Sequence, residues 1–503
     1  MNQANALRLT SRAMTGDAPF VLALDLGTSS TRAMVFDANG VEVPDTKSQV
    51  AHALRTSGDG AAVFDPAALL REVEACLDAT LRAFGGEVTA VATSQLVTNL
   101  LAVDENGAPL TPVLTYADTR CAAEVETLRA EIDERAVHAR TGCRLHSSYW
   151  PPRFRWLTTA QPALMAQRPR WLSVAEWIHL RLTGGALCSR SVASWTGLFN
   201  RTAGTWDAGW LDALGLTAEQ FAPIASDDDA LAGLTHDHAQ RWPQLAGAAW
   251  LPPMSDGVAS NIGSGCLNAA RVALSVGTSG AMRVVVPSAE LGDALPFGAA
   301  CYQLDGARSL PACALNDAGS VFAWLKETLR IHGEGADLES ELAFLPPLDH
   351  GVTMLPFLTG ERSPGWNPRA HFVLHGATAE TQPIELLQAG LEAVALRFAA
   401  CCEVLQPFIA PDAEIVASGG GLLNSPTWTQ MMADALGRPV VASAETEPSA
   451  RGAALLALEA LGVRPLDEFS VELGVTYEPR PALTERYRAA LKAQQELYRR
   501  MLA

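Results

Sequence analysis

The sequence predicts an α/β protein built from two related halves, and two observations lead to this prediction. Short apolar runs of β-forming residues alternate with stretches of helical periodicity, which is typical of α/β domains. One phrase also occurs twice, as LALDLGTSSTR at 22–32 and as VALSVGTSGAM at 272–282. Each copy places two apolar runs around Gly-Thr-Ser, the pattern of a β-hairpin with a tight turn. Two related hairpins far apart in the chain indicate two halves that face one shared ligand.

The first half is expected to open with the repeated hairpin and to carry extra helices. Its predicted elements are, in order, a hairpin at 20–36, a helix at 65–81, β-rich runs at 88–93 and 99–104, extra helices within 121–220, and a strand that ends near Trp250. The helix has an Asp-Pro start and apolar residues at helical spacing.

A small-residue stretch, Gly263-Ser264-Gly265, lies just before the second hairpin and predicts a hinge between two domains. We therefore expect a leader at 1–18, an N-terminal domain at 19–264 and a C-terminal domain at 265–503. After the hairpin, the second half is expected to contain helices at 318–329, 383–401 and 426–436, and a strand at 413–418.

Composition and charge exclude several classes of function. The 503 residues are 48% hydrophobic and 18% charged, which is ordinary for a globular enzyme. A net charge of -18 disfavours a nucleic-acid-binding surface, and no apolar run approaches the roughly 20 residues that span a bilayer. Nine scattered cysteines without a Cys-x-x-Cys pair favour a reducing compartment over a disulfide frame or a zinc site. We expect a cytoplasmic protein without nucleic-acid or membrane partners.

The first hairpin carries the features of a phosphate site. Backbone N–H groups of a tight turn can hold an anion, and Arg32 follows the turn. Asp25 ends an apolar strand, where a carboxylate is costly unless it has a partner such as a hydrated cation. A single Gly-Thr-Ser turn is common, so the recurrence at 274–279 is what favours phosphate binding. The second copy has Ser275 in place of the acid, which gives the two halves different roles.

Two further segments have both an ordinary and a functional interpretation. Ser-Asp-Gly around Asp256 is typical of a helix N-cap, but its place before the hinge favours a base that accepts a hydroxyl proton in phosphoryl transfer. Gly419-Gly420-Gly421 is typical of a flexible loop, or of a close approach between backbone and nucleotide. The three lysines, Lys47, Lys326 and Lys492, lie in no Walker A or protein-kinase setting.

Taken in order, five segments resemble the FGGY carbohydrate kinases. They are DLGTSSTR at 25–32, SDG at 255–257, SVGTSG at 275–280, PFLTGER at 356–362 and SGGG at 418–421. The resemblance extends from about residue 20 to 495. It implies two actin-like, RNase H-like domains, with ATP and Mg²⁺ in the cleft between them. It also implies phosphorylation of a hydroxyl on a sugar, polyol or sugar acid.

The resemblance implies a role for individual residues. Asp256 corresponds to the catalytic base, and Asp25 to the metal-associated acid. The residues implied to bind the nucleotide are Thr28, Ser29, Ser30, Arg32, Gly277, Thr278, Gly319, Gly420, Gly421 and Asn424. The residues expected to contact the sugar are Gln95, Asp118, Arg120, His146 and Asp256.

Within the family, the gluconokinase branch is the most similar. The similar segments are TGCRLH at 141–146, SDGVASN at 255–261 and LSVGTSGAMR at 274–283. A gluconate carboxylate needs a cation or N–H donors, and Arg120, Arg144 and Arg153 are candidates, each with surface arginine as the alternative. Without the family match, His146 is more typical of a packed or capping histidine.

Three departures from the family pattern concern specificity. Xylulokinase-like relatives have Gln-Met-His where this chain has Gln95-Leu96-Val97, which disfavours xylulose. Arg153 stands where the family has lysine, and Ala370-His371-Phe372 stands where it has Ala-Arg-Gly. Whether Arg153 and His371-Phe372 alter specificity stays open at this point.

We therefore predict an ATP-dependent carbohydrate kinase that transfers the γ-phosphate of ATP to a hydroxyl of a sugar or sugar acid, with gluconate preferred. The alternatives are a xylulokinase or another pentulose or polyol kinase, a non-catalytic actin-like nucleotide switch, and an inactive sugar sensor. The sequence leaves the sugar, the hydroxyl, regulation and a homodimer open.

Overall fold

Two eight-stranded mixed sheets dominate the computed structural model, which describes the backbone of residues 6–8 and residues 19–292, 295–333 and 335–502. Of the predicted leader, residues 1–5 and 9–18 lie outside the described residues. Ala6–Arg8 forms an edge strand that pairs with residues 229–231 of the first sheet.

The first sheet lies in the chain before residue 256. The strands of this half are β1 Ala6–Arg8, β2 Val21–Leu26, β3 Ser30–Phe36, β4 Ser48–Ala51, β5 Arg55–Thr56, β6 Ala62–Phe64, β7 Ala90–Gln95, β8 Leu101–Val103, β9 Val113–Leu114, β10 Arg170–Leu172, β11 Phe199–Asn200, β12 Thr205–Trp206, β13 Asp229–Ala232, β14 Ala249–Trp250 and β15 Met254–Ser255. The helices are α1 Pro66–Phe84, α2 Ala122–Glu131, α3 Glu134–Thr141, α4 Trp150–Ala160, α5 Pro162–Ala166, α6 Val174–Thr183, α7 Arg190–Trp195, α8 Ala208–Leu214, α9 His236–Arg241 and α10 Asp256–Gly263.

The second sheet lies in the chain after residue 270. Its half contains strands β16 Arg271–Val276, β17 Gly280–Arg283, β18 Val286–Pro287, β19 Ala300–Gln303, β20 Arg308–Leu315, β21 Thr353–Leu355, β22 Val373–His375, β23 Glu414–Ser418, β24 Val440–Ser443 and β25 Leu473–Tyr477. Its helices are α11 Gly319–Thr328, α12 Gly335–Phe344, α13 Pro383–Leu405, α14 Gly420–Leu423, α15 Pro426–Leu436, α16 Pro448–Ala460 and α17 Pro481–Leu502.

The two sheets repeat one arrangement around the two hairpins. In the first, β2 pairs antiparallel with β3, which sets Asp25 opposite Arg32, and parallel with β7. In the second, β16 pairs antiparallel with β17, which sets Ser275 opposite Ala281, and parallel with β23. The predicted hairpins and the pairing of two related halves are confirmed.

The predicted helices follow the local signals that the sequence carries. Helix α1 begins after Asp65, whose carboxylate accepts hydrogen bonds from the N–H groups of Ala67 and Ala68, and it ends at Gly85 in the left-handed conformation (φ 68°). The extra helices expected within 121–220 are present as α2 to α8. Among the described residues, none of the helices combines the length and apolarity that a bilayer crossing requires.

The two halves meet where α10 crosses α16. At the crossing, a Cβ on Gly263 would lie 1.9 Å from the Pro448 oxygen, and one on Gly452 would lie 1.8 Å from the Ala259 oxygen. The backbones are therefore in direct contact. Helix α16 also packs its small side chains against β2 and β7, so that an element of the second half completes the core of the first.

We expect Gly452→Ala to lower the melting temperature by roughly 3 °C or more, because its Cβ can be placed only by moving two helix backbones apart. Thermal unfolding checks this. The matched control is Gly247→Ala, where no atom lies within 4 Å of the added Cβ. An equal, small effect of both changes would contradict the close crossing.

Candidate active site

Asp256 lies at the first turn of α10, directly after β15, in the cleft between the two halves. Its preceding residue, Ser255, caps the helix by accepting a hydrogen bond from the Val258 N–H. Two cavities meet at Asp256. We name them the inner cavity, of ≈ 170 Å³, and the middle cavity, of ≈ 570 Å³. Asp256 and Arg283 are the two residues that line both.

The inner cavity is walled by aromatic side chains from both halves. The Tyr149 hydroxyl lies 2.7 Å from the Tyr302 hydroxyl, which joins the two halves across the cavity wall. Trp195 stacks on Tyr302, with ring centroids 3.5 Å apart, and Trp366 closes another side. Aromatic walls with a few polar groups are typical of a site for a small molecule.

The middle cavity continues from Asp256 along the second sheet. It is lined by the strand ends that carry Ser275 and Ser418, and by the loop at 443–449. Gly420 lines both this cavity and a third one of ≈ 550 Å³, which we name the outer cavity. The three cavities therefore form a series, with Asp256 at one junction and Gly420 at the other.

The outer cavity brings together six residues that the sequence implied for the nucleotide. They are Gly277, Thr278, Gly319, Gly420, Gly421 and Asn424. The sequence did not single out Phe322, Lys326 and Trp428, which also line this cavity. Their shared location depends on which helix follows which strand, and no local motif marks it.

Close backbone contacts explain why glycines stand around the outer cavity. A Cβ on Gly319 would lie 2.3 Å from the Gly277 oxygen, so α11 approaches the second hairpin turn directly. A Cβ on Gly421 would lie 2.7 Å from Val276 Cγ1, at the end of β16. The N-terminal N–H groups of α11 and α14 are thereby held close to the hairpin turn.

The first hairpin presents its turn to the cleft. Thr28 lines the inner cavity, and Ser29 is exposed at the tip. Ser30, however, is buried, and its hydroxyl accepts a hydrogen bond from Gln49 Nε2 at 3.0 Å. The Ser30 side chain therefore contacts Gln49 of β4, and the expected contact of Ser30 with the nucleotide stays a prediction.

Arg32 connects the first hairpin to the second half. Its Nη1 lies 3.5 Å from Asp25 Oδ2 and 3.1 Å from Glu447 Oε2, and Lys47 also pairs with Glu447. Glu447 directly precedes α16, so the ion pairs bridge the cleft beside the α10 crossing. The sequence placed Arg32 at a phosphate and did not identify Glu447, which lies 415 residues away from it in the chain.

Burial raises the pKa of both acids in the cleft. The pKa of Asp25 is raised to about 6, chiefly because burial disfavours its charge, although Ser94 and Arg32 oppose the shift. The pKa of Asp256 is raised to about 7 by burial and by the nearby Asp25, while Arg283 opposes the shift. A base whose pKa lies near 7 suits proton abstraction at neutral pH.

The surroundings of Asp25 fit a magnesium ion. Its Oδ1 atom is buried and has no hydrogen-bond partner among the described residues. No cluster of three or more His, Cys, Asp or Glu ligands occurs in the described part of the chain. Magnesium commonly takes one or two carboxylates and completes its shell with water and phosphate oxygens, so one free carboxylate oxygen is a suitable donor.

Three of the residues expected at the sugar are engaged elsewhere. Gln95 is buried, donates to Ser173 Oγ at 2.9 Å and accepts from the Ala175 N–H at 3.0 Å, so it holds α6 in place. Asp118 and Arg120 pair with each other, with a 2.7 Å contact, and neither lines the inner cavity. None of the three lines the inner cavity, and their contact with the sugar stays a prediction.

His146 is close to the inner cavity and is neutral. Burial and the nearby Arg362 lower its pKa well below the usual value. Its ring packs edge-on against Trp366 and Tyr149, which both line the cavity. Its Nδ1 accepts a hydrogen bond from the Ser148 N–H. The structure thus places His146 behind the aromatic wall.

The other arginines proposed for a carboxylate are also engaged. Arg144 pairs with Glu134 at 2.8 Å and packs on Phe297. Arg153 is buried and donates to the carbonyl oxygens of Thr98 and Thr115. His371, at the third departure, is exposed, away from these cavities.

The inner cavity is lined instead by two arginines to which the sequence analysis assigned no role. Arg283 ends β17, and Arg362 follows β21. Both arginines lie inside segments on which the family resemblance rests, and this was the sequence signal that could have identified them. Arg283 is placed by the pairing of β17 with β20, and Arg362 by the hydrogen bond from the N–H of the next residue, Ser363, to the Ala314 oxygen of β20. No local sequence pattern marks either contact.

Comparison with known proteins agrees with this geometry. The N-terminal domain of the FGGY family of carbohydrate kinases matches residues 20–263, and the C-terminal domain matches residues 272–461. The chain belongs to the FGGY family of carbohydrate kinases. This protein is therefore a phosphotransferase that acts on an alcohol group, with the two-domain actin-like fold that the resemblance implied.

Individual FGGY relatives differ in the acceptor that their names give. The chain is 25% identical to a gluconokinase of Bacillus subtilis (strain 168), over 92% of each chain. It is 30% identical to a glycerol kinase of Paracidovorax citrulli (strain AAC00-1), over 88% of this chain and 91% of that one. A ligand-bound xylulose kinase from Lactobacillus acidophilus superposes with a TM-score of 0.89 and 25% identity, over 96% of this chain and 99% of that one.

We expect Asp256→Asn to raise the melting temperature of nucleotide-free protein in EDTA, by about 2 °C at pH 8 and by less at pH 5. The folded-state pKa of about 7 lies above the unfolded value of 3.8. The native carboxyl group therefore costs stability as pH rises through this window, and the amide removes that cost. Thermal unfolding at both pH values measures the difference, and a pH-independent difference would contradict the raised pKa.

Proposed function

We propose that this FGGY kinase transfers the γ-phosphate of ATP to a hydroxyl of a sugar acid, with gluconate as the preferred acceptor. The observation that supports this most strongly is the position of Asp256 at the junction of the inner and middle cavities. An acceptor in the inner cavity and phosphates in the middle cavity would meet at its carboxylate.

In this proposal Asp256 accepts the proton of the attacking hydroxyl. Its place at the N-terminal turn of α10 favours the charged form, and burial disfavours it, so the carboxylate is poised near neutral pH. Arg283 lies on both cavities and balances the charge of Asp256. Phosphoryl transfer relies on positioning and charge stabilisation, which these two groups can supply together.

The nucleotide residues divide between the two halves. The second hairpin turn at Gly277-Thr278 and the glycines of α14 would hold the nucleotide, while Thr28, Ser29 and Arg32 approach from the first half. Asp25 would hold Mg²⁺, which supplies positive charge beside the phosphate oxygens when bound. Closure of the halves would exclude water from this junction and so limit ATP hydrolysis.

A gluconokinase relative and the charge of the inner cavity support gluconate as the acceptor. The alignment with the gluconokinase relative covers 92% of this chain. The segments at 141–146, 255–261 and 274–283 had suggested the same branch of the family. The inner cavity is lined by two arginines and by one carboxylate, that of Asp256. A xylulokinase or polyol kinase activity remains the alternative, and a purely switching protein would not need a poised base between two cavities.

We expect wild-type protein to release ADP from ATP and Mg²⁺ when gluconate is present. A screen of gluconate, pentuloses, hexuloses, polyols and glycerol, with identification of the product, measures this. Turnover of a neutral ketose with inert gluconate would overturn the choice of acceptor.

In the same assay, Asp256→Asn should lower kcat by about 10²-fold or more, because the hydroxyl loses its base. Nucleotide binding, measured by calorimetry, should persist, because the amide leaves the outer cavity intact. Unchanged turnover would contradict the role of Asp256.

A further inference from the structure

We propose that Arg362 forms a carboxylate-binding subsite of the inner cavity and thereby selects acidic over neutral acceptors. This inference rests on the proposed function and adds to it the group that recognises the acid. Three features of the described residues support this inference: the unpaired donors of Arg362 and its neighbours on the cavity wall, the lack of an ion-pair partner for Arg362, and the neutral state of the other groups near it.

The first observation is a set of N–H donors without acceptors. Arg362 Nε, Arg283 Nε and Trp195 Nε1 are buried and have no hydrogen-bond partner among the described residues. All three side chains line the inner cavity. Because buried polar groups are nearly always paired, three such donors around one cavity indicate a ligand rich in acceptor atoms.

The second observation is the absence of a counter-ion for Arg362. No carboxylate among the described residues forms an ion pair with it. Its chain neighbour Glu361 is buried and is held by Arg397, by the Tyr498 hydroxyl at 2.6 Å and by the Gly365 N–H at 3.2 Å. Because these partners hold the Glu361 carboxylate, it does not serve as the counter-ion of Arg362. The same contacts fix the backbone next to Arg362.

The other groups near Arg362 leave its charge uncompensated. His146 is neutral, and burial raises the pKa of the Tyr149 phenol well above its usual value, so neither carries a charge at neutral pH. Asp256 is the carboxylate of this cavity, and it faces Arg283. A carboxylate in the substrate would supply the missing charge, and a guanidinium can bind it through two parallel hydrogen bonds.

These contacts give the cavity two chemically distinct groups. Asp256 and Arg283 are shared with the middle cavity, where the reacting hydroxyl is expected. Arg362 lines the inner cavity and not the middle one. An acceptor with a hydroxyl directed at Asp256 and a carboxylate directed at Arg362 would satisfy both groups at once.

The test compares gluconate with sorbitol, the neutral alditol of the same chain length, in steady-state kinetics. Wild-type protein should favour gluconate in kcat/KM by about 10- to 100-fold, the range expected for a charge-assisted hydrogen bond. Arg362→Met should lose most of this preference, chiefly through KM for gluconate, with a smaller loss in kcat/KM for sorbitol. Arg362→Lys should recover part of the preference, because the charge remains.

Arg369→Met is the matched control, because Arg369 is exposed on the same loop. It should leave the acceptor preference unchanged. The melting temperature of each variant shows whether it folds. The preference of the wild-type protein for gluconate over sorbitol tests the inference even if a variant does not fold. If Arg362→Met retains the preference for gluconate, the subsite is wrong while the proposed function stands. If wild-type protein phosphorylates neutral acceptors and ignores acids, the sugar-acid part of the proposed function fails together with the subsite. If no acceptor yields ADP, the proposed function itself fails.

Discussion

The direct backbone contact between α10 and α16 is the constraint on which the cleft depends. Gly263 and Gly452 let the two helices touch, and any larger residue would separate them. Helix α10 carries Asp256 at one end, and α16 follows Glu447, which holds Arg32 and Lys47. The position of Asp256 relative to the two Gly-Thr-Ser hairpins is therefore set by the packing of these two helices.

Burial then gives the cleft its reactivity at a cost in stability. The pKa values of Asp25 and Asp256 are both raised toward neutrality, chiefly because burial disfavours their charges, and the charge of Asp25 raises the pKa of Asp256 further. Unpaired donors on Arg283 and Arg362 add to the cost. Buried acids with raised pKa values and unpaired buried donors are typical of functional sites that bind charged ligands.

The fold was largely predictable from the sequence, because its signals are local. The repeated hairpins, the Asp65 cap and the strand before the glycines all lie within a few residues of the structures they specify. Gly277, Gly319, Gly420 and Gly421, which line the outer cavity, could be singled out for the same reason, and their role in binding the nucleotide stays a prediction. The lining of the inner cavity was not predictable in this way. Gln95, Arg144 and Arg153 have partners within the protein, and Arg283 and Arg362 reach the inner cavity through backbone contacts with β20 that no local pattern records.

The central claim is that one carboxylate stands between an acceptor cavity and a nucleotide path. The most direct measurement is a crystal structure with gluconate and a non-hydrolysable ATP analogue with Mg²⁺. The predicted result is an acceptor hydroxyl within hydrogen-bond distance of Asp256, in line with the terminal phosphate. A ligand-bound cleft in which Asp256 faces neither hydroxyl nor phosphate would contradict the claim.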